Sequence, residues 1–242
     1  MLILVFLKYF LLVYIMKTDY WNIKYLDVPT DFIFGFGTTI NNYSRNSTSI
    51  DIGYSIPVRI SKYYGYRRYW NFHCPTSKFT ALGLEKTNKH NRTTINGIIY
   101  PVNSNITNFD NREDGYIRKN IPIHMIETLG WINLPKHHYR VWTYIPKEEN
   151  LHYPNKYNPV LQSYIDVCLE GCLQFGEKFA IEFLQTTFGW SAFWLNDREI
   201  PRRPWIYLDN YKIIDQLLEK YPTKNNKYKH RLLDVEFSTH FK

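Results

Sequence analysis

Three cysteines in 242 residues are too few for a disulfide scaffold, and Cys74, Cys168 and Cys172 contain no Cys-x-x-Cys pair of the zinc type. A reducing compartment, the cytoplasm, is therefore the simpler expectation. No apolar run reaches the roughly 20 residues of a membrane-spanning helix. The nearest approach is LILVFLKYFLLVYI at residues 2–15, interrupted by Lys8. That run has no basic stretch before it and no small-x-small cleavage site after it. Met16 opens a plausible second start, so residues 2–15 read first as an upstream extension, second as an anchor that would bring membrane contact, and third as a cleaved signal. Repeats and low-complexity blocks are absent. Acidic residues are in deficit, 22 against 30 Lys and Arg, a formal charge of +8.

What is present describes a folded chain: 44% hydrophobic and 18% aromatic residues, long enough for one large domain with additions. Basic charge with many aromatics invites a nucleic-acid reading. The aromatics fall on core-type patterns, however, and much of the charge sits in the segment from Lys220 to Arg231, so no nucleic-acid partner is expected. A positive field that steers an anionic small molecule explains the balance equally well. Four glycosylation sequons begin at Asn42, Asn46, Asn91 and Asn105 and would matter only on secretion.

Three regions follow: residues 1–30, an apolar extension and lead-in; 31–150, mostly strands; and 151–242, a helical extension with a basic tail. FIFGF, GYSIPVRI, TALGLEK, NGIIYPV and VWTYI read as strands. Leu161, Tyr164, Ile165, Cys168, Cys172, Phe175, Phe179 and Phe183 recur at helical spacing, which predicts one long amphipathic helix ending near Thr187. Gly171 and Gly176 inside it call for close packing or a kink. A second helix is expected over 210–221, capped by Asp209 or Asn210. Arg198, Arg202 and Arg203 read as a solvated basic loop, Cys168 and Cys172 as buried hydrophobes, and His73, His137 and His138 as structural or exposed rather than metal ligands.

Asp31-Phe-Ile-Phe-Gly-Phe-Gly-Thr-Thr-Ile40 is a strand entering a Gly-x-Gly turn followed by two hydroxyl residues. Glycine there permits φ > 0 and close approach of a ligand to backbone N–H groups, which suits an anion or a developing oxyanion. It is neither a dinucleotide fingerprint nor a phosphate loop. Downstream, the run from Asn108 to Arg118, Asn-Phe-Asp-Asn-Arg-Glu-Asp-Gly-Tyr-Ile-Arg, follows Gly97-Ile-Ile-Tyr100. With Pro57-Val58 and Gly65-Tyr-Arg-Arg-Tyr-Trp70 between them, these segments resemble, in order, the γ-glutamylcyclotransferase-like family over about residues 31–145.

The resemblance implies an α+β fold, a mixed β-barrel with flanking helices, here with a C-terminal helical extension. It implies an enzyme that converts a small γ-glutamyl compound (glutathione, or a γ-glutamyl amino acid or amine) to 5-oxoproline and a free amine, with no cofactor and no metal. Carried over by position, Phe36, Gly37, Thr38, Thr39 and Ile40 occupy the substrate loop and Glu113 the catalytic glutamate, with Tyr116 beside the substrate. The family's usual Tyr-Gly-Ser is Phe36-Gly37-Thr38 in this chain. Asp110 is expected to orient the loop and Asp114 to be solvated. The competing expectations are an inactive relative that binds a γ-glutamyl or peptide ligand, and a basic interaction protein.

Overall fold

The computed structural model describes residues 29–48, 55–74, 77–102, 106–130, 134, 139–202, 210–221 and 231–240. The expectations for residues 2–15, for most of the basic tail, and for Asn105, His137, His138, Arg203 and Asp209 lie outside these residues. No described helix is long and apolar enough to cross a membrane.

In chain order the strands and helices are β1 (Asp31–Gly35), α1 (Asn42–Asn46), β2 (Ile56–Ile60), β3 (Tyr66–Cys74), β4 (Phe79–Lys86), β5 (Ile95–Pro101), α2 (Ile106–Arg112), β6 (Tyr116–Ile121), β7 (Ile126–Thr128) and β8 (Arg140–Pro146). There follow β9 (Val160–Leu161), α3 (Gln162–Leu173), α4 (Glu177–Gln185), β10 (Thr187–Phe188), β11 (Trp194–Asn196), α5 (Tyr211–Lys220), β12 (Leu232–Leu233) and α6 (Asp234–His240).

Six strands form one sheet in the order β6-β8-β1-β5-β2-β7, antiparallel except for the parallel β1–β8 pair. β1 lies inside it and is buried from Phe32 through Gly35, the continuous apolar run of a strand covered on both faces. β2 alternates instead, with Ile56, Val58 and Ile60 inward and Pro57 and Arg59 half-buried. Two three-stranded sheets complete the β-structure, β10-β3-β4 and β12-β11-β9. The α+β expectation stands, but among the described residues no sheet closes into a barrel. β4 meets the end of β8 through side chains rather than a hydrogen-bonded ladder. A Cβ on Gly83 would lie 2.4 Å from Pro146 Cγ, and proline has no N–H with which to extend the pairing.

The expected long helix is two. α3 ends at Leu173, and Gly176, at φ +97°, turns the chain into α4. Nor is α3 amphipathic, since Gln162 through Leu169, Gly171 and Cys172 are all buried. A helix buried on every side belongs inside a core, and two of the polar residues it carries, Ser163 and Asp166, have specific partners. Asp197 accepts hydrogen bonds from the backbone N–H (2.8 Å) and hydroxyl (2.6 Å) of Ser163, supplying from a distance the cap that Leu161 cannot. Asp166, 0% exposed, takes two hydrogen bonds of 2.7 Å from Arg198, which also reaches Asp215. Arg198 is thus a buried-pair partner and not the solvated residue that its loop composition suggests. α4 is clamped to the sheet by a bidentate pair from Arg59 on β2 to Glu182 (2.6 and 2.8 Å). The expected helix over 210–221 is α5, where the Asn210 amide donates to Glu170 instead of capping.

Candidate active site

β1 delivers the chain into Phe36 and Gly37, after which Thr38–Ile40 form a single 3-10 turn. The turn's hydrogen bonds run from Ile40 N–H to Gly37 C=O and from Asn41 N–H to Thr38 C=O. The N–H groups of Thr38 and Thr39 precede them and have no acceptor inside the turn. Asn41 then caps α1, its side chain accepting from Ser44 N–H. Neither glycine adopts the positive φ anticipated for it. Their reason is space: a Cβ on Gly35 would lie 2.5 Å from Thr39 Oγ1, and one on Gly37 would lie 3.1 Å from Tyr164 Oη.

Two buried arginines grip the loop by its carbonyls. Arg68 on β3, fully buried, donates to Phe36 C=O, to the carbonyl and side chain of Asn96, to Phe183 C=O, and to the hydroxyls of Thr186 and Thr187. All these acceptors are neutral, so desolvation pushes its pKa down to about 10, and it stays charged at neutral pH. Arg45 donates to Thr39 C=O (3.0 Å) and Ile40 C=O (2.8 Å), and burial likewise lowers it to about 10.

Glu113 is the first residue after α2, which is anchored by the buried Phe109. Its N–H bonds Phe109 C=O, and its carbonyl accepts from Tyr116 N–H. Arg112 holds the carboxylate, Nε standing 3.3 Å from Glu113 Oε1. The same guanidinium donates to Ser44 C=O and hydroxyl, to the Thr48 hydroxyl, and to Thr38 Oγ1 at 3.3 Å. One arginine therefore couples the glutamate to the turn.

These parts line a cavity of about 380 Å³, its open mouth included. Phe36, Gly37, Thr38, Thr39, Glu113 and Tyr116 border it. Ile40 does not: it is 0% exposed and packs in the core, so of the five loop positions it alone stands behind the cavity. The rest of the wall is Ile33, Phe34, Leu82, Tyr100, Tyr144 and Tyr164. β4 is an edge strand. Its Leu82 has its carbonyl occupied by the Tyr116 phenol (2.9 Å) and its N–H by Tyr164 Oη (3.4 Å). Tyr144 donates to Asp110, which also receives Arg118. Burial, followed by that acidic neighbour, pushes the Tyr144 phenol well above its ordinary value. Asp114 is 95% exposed.

Tyr100, Tyr144 and Tyr164 were given no site role in the sequence. The Gly97-Ile-Ile-Tyr100 segment marked Tyr100 without a role, while Tyr164 reads as one more core position of an apolar helix. Among the described residues no group of three or more His, Cys, Asp or Glu is placed to hold a metal ion.

No protein-family model and no curated protein matches the chain. In fold it is similar to a gamma-glutamyl cyclotransferase, with TM-score 0.43 and 11% identity over 61% of this chain and 85% of that one. It is similar to an uncharacterized protein from Homo sapiens, with TM-score 0.44 and 10% identity over 66% and 90%. A gamma glutamyl cyclotransferase specific to glutathione from yeast gives 0.33 and 14% over 64% and 85%. At such values the chemistry must rest on the cavity's own geometry.

Proposed function

We propose that the chain is a cofactor-independent γ-glutamylcyclotransferase-like enzyme that converts a γ-glutamyl compound to 5-oxoproline and a free amine. One observation carries the reading: Glu113 and the Phe36–Thr39 loop, distant in sequence, border the same tyrosine-walled cavity and are coupled through Arg112. The substrate's α-nitrogen attacks its own γ-carbonyl carbon, so nucleophile and electrophile belong to one molecule and orientation supplies much of the rate. The α-ammonium first loses a proton, which the Glu113 carboxylate accepts as general base. When the tetrahedral intermediate collapses, the C–N bond to the leaving amine breaks as Glu113 returns that proton to its nitrogen, and the second proton shed by the ring nitrogen follows to the released amine, which departs as an ammonium. The intermediate's oxyanion falls to the Thr38 and Thr39 N–H groups, and each such donor is worth about 10²–10³ in rate. Tyr116, already engaged with Leu82, shapes the wall.

The test is release of 5-oxoproline from glutathione, γ-glutamyl-alanine and γ-glutamyl-lysine, with Glu113→Gln alongside. Turnover of at least one substrate, reduced about 10²–10⁴-fold in the variant, is the expected result. Unchanged turnover in Glu113→Gln removes the glutamate from the mechanism. Tight binding with no product from folded protein would instead favour a ligand-binding relative.

A further inference from the structure

Among the described side chains of the cavity wall, one carries a buried polar atom that the protein leaves unused. Tyr100, on β5, is 0% exposed, and its phenolic oxygen has no hydrogen-bond partner. The Thr39 hydroxyl stands beside it without reaching hydrogen-bond geometry. Buried polar atoms are paired as a rule, and an unpaired one is unfavourable. Packing does not demand the hydroxyl, because the neighbours of the ring are aromatic and apolar: Phe109 lies 5.5 Å away between centroids, and Phe34 shares the cavity wall. Phenylalanine would fill that place without an unmet donor. The surroundings also carry a sign. The guanidiniums of Arg112 and Arg45 both act on the Tyr100 phenol, Arg45 standing 5.4 Å from the ring centroid. Neither is among the residues bordering the cavity, and among the described residues no Lys, Arg or His borders it. The Glu113 carboxylate, which borders the cavity, acts on the phenol in the opposite sense, so two guanidiniums behind the wall stand against one carboxylate on it, and a neutral phenol stands where the remaining positive potential arrives.

We infer that the Tyr100 phenol is the cavity's donor to a permanent anion of the ligand, which under the cyclotransferase reading is the α-carboxylate of the γ-glutamyl group. The inference rests on that reading for the identity of the anion, not for the existence of the anion site. Burial keeps the phenol protonated far above neutral pH, so it remains a donor throughout the range in which a carboxylate is charged.

The experiment compares wild type with Tyr100→Phe on γ-glutamyl-alanine and on 4-aminobutanoyl-alanine, which lacks only the α-carboxylate. A hydrogen bond to a charged group predicts a KM for γ-glutamyl-alanine raised about tenfold to a hundredfold in the variant. The analogue should be handled alike by both proteins, and the variant's melting temperature should not fall, since no bond within the protein is lost. Equal KM values for γ-glutamyl-alanine would overturn the inference and leave the reaction standing. A loss confined to kcat would also overturn it, because it would place the hydroxyl on the transition-state oxyanion. If wild type turns over neither compound, the reaction reading fails, and calorimetric titration with 5-oxoproline decides the anion site. Weaker binding by Tyr100→Phe upholds the site; equal binding, or none by wild type, overturns it.

Discussion

Gly171 lies inside α3, far in sequence from the Phe36–Thr39 loop, yet a Cβ built on it would stand 2.5 Å from Asn41 N, 2.7 Å from Asn41 Cα and 2.8 Å from the Ile40 carbonyl carbon. All three are backbone atoms, so no side chain can swing aside to make room. Ordinary carbon contacts begin near 3.5 Å, and Gly171→Ala must therefore push residues 40–41 and the helix apart by about 1 Å. Two effects oppose each other in the stability. Alanine gains about 1 kcal/mol over glycine in a helix interior, while overpacking a well-filled core costs about 1–3 kcal/mol. The net expectation is a loss of zero to about 2 kcal/mol, read as a shift in urea midpoint at constant m-value. The consequence for function is larger, because the displaced residues directly follow Thr38 and Thr39. A misplacement of about 1 Å can cost on the order of 10²-fold in rate. Release of 5-oxoproline measures this, and faster hydrogen exchange at the amides of Thr38–Asn41 measures the same displacement without relying on the reaction. Gly176→Ala is the control. It suffers the strain of φ +97° but meets nothing within 4 Å, so it should lose stability while leaving the loop and turnover alone. A Gly171→Ala protein that gains the full helix-propensity increment and keeps wild-type turnover would refute the packing argument.

Two further perturbations test other parts of the molecule. Arg198→Met strands the Asp166 carboxylate in the core with Gln162 as its remaining partner and should cost about 3 kcal/mol or more, whereas the double variant Asp166→Leu/Arg198→Met should recover at least about 1 kcal/mol of it. Strictly additive urea-unfolding energies would show that the pair is not coupled. At Asp31, partial burial pushes the carboxyl up, but hydrogen bonds from Trp142, Arg140 and Thr30 outweigh it and hold the pKa below the ordinary 3.8. A depressed carboxyl stabilises the fold above its unfolded pKa and loses that contribution as pH falls through the folded value. The stability gap between wild type and Asp31→Asn should thus be complete above about pH 5 and close on acidification. A gap that stays constant down to about pH 2.5 would contradict the assignment.

Much of the fold was legible because single strands and helices advertise themselves. β1 shows an unbroken apolar run, β2 alternates, and α3 and α4 carry apolar residues at helical spacing. The break between the helices does not read as one in the sequence: Gly176, which makes it, reads only as a place for close packing or a kink inside a single helix. Two further features were not legible, and each depends on partners that periodicity does not encode. Whether β4 pairs with β8 is decided at the strand ends, where Gly83 meets Pro146. The two-residue strands β9, β10 and β12 exist through their pairings and are too short to show a period. Arg198 was misread for a similar reason. Its neighbours Asn196, Asp197 and Glu199 make the segment look solvated, and its partner Asp166 is hidden among the apolar positions of α3. A carboxylate at position 166, flanked by the apolar Ile165 and Val167, was the available sign that a cation had to arrive from elsewhere.

The candidate site divides along the same line. Glu113 and the Phe36–Thr39 loop entered the reading through the ordered resemblance of the two segments that carry them; the glycine turn with hydroxyls is a weak signal by itself. Tyr164 was invisible because a tyrosine on an apolar helix is ordinarily core, and it does sit in the core. Its hydroxyl accepts from Leu82 N–H and lies where a Cβ on Gly37 would meet it, and the residue borders the cavity. Gly171 was noticed as a cost to the helix, with its beneficiary, the Ile40–Asn41 backbone, more than a hundred residues earlier in the chain. Arg68 repeats the pattern, gripping Phe36 C=O with one side of its guanidinium and Phe183, Thr186 and Thr187 with the other. Loop and C-terminal segment are therefore held by one guanidinium. The segment that composition marks as an addition supplies a wall residue, a contact surface and the acceptors for the arginine that fixes the loop. Changes after residue 159 should accordingly alter the cavity even where they touch none of the residues that line it.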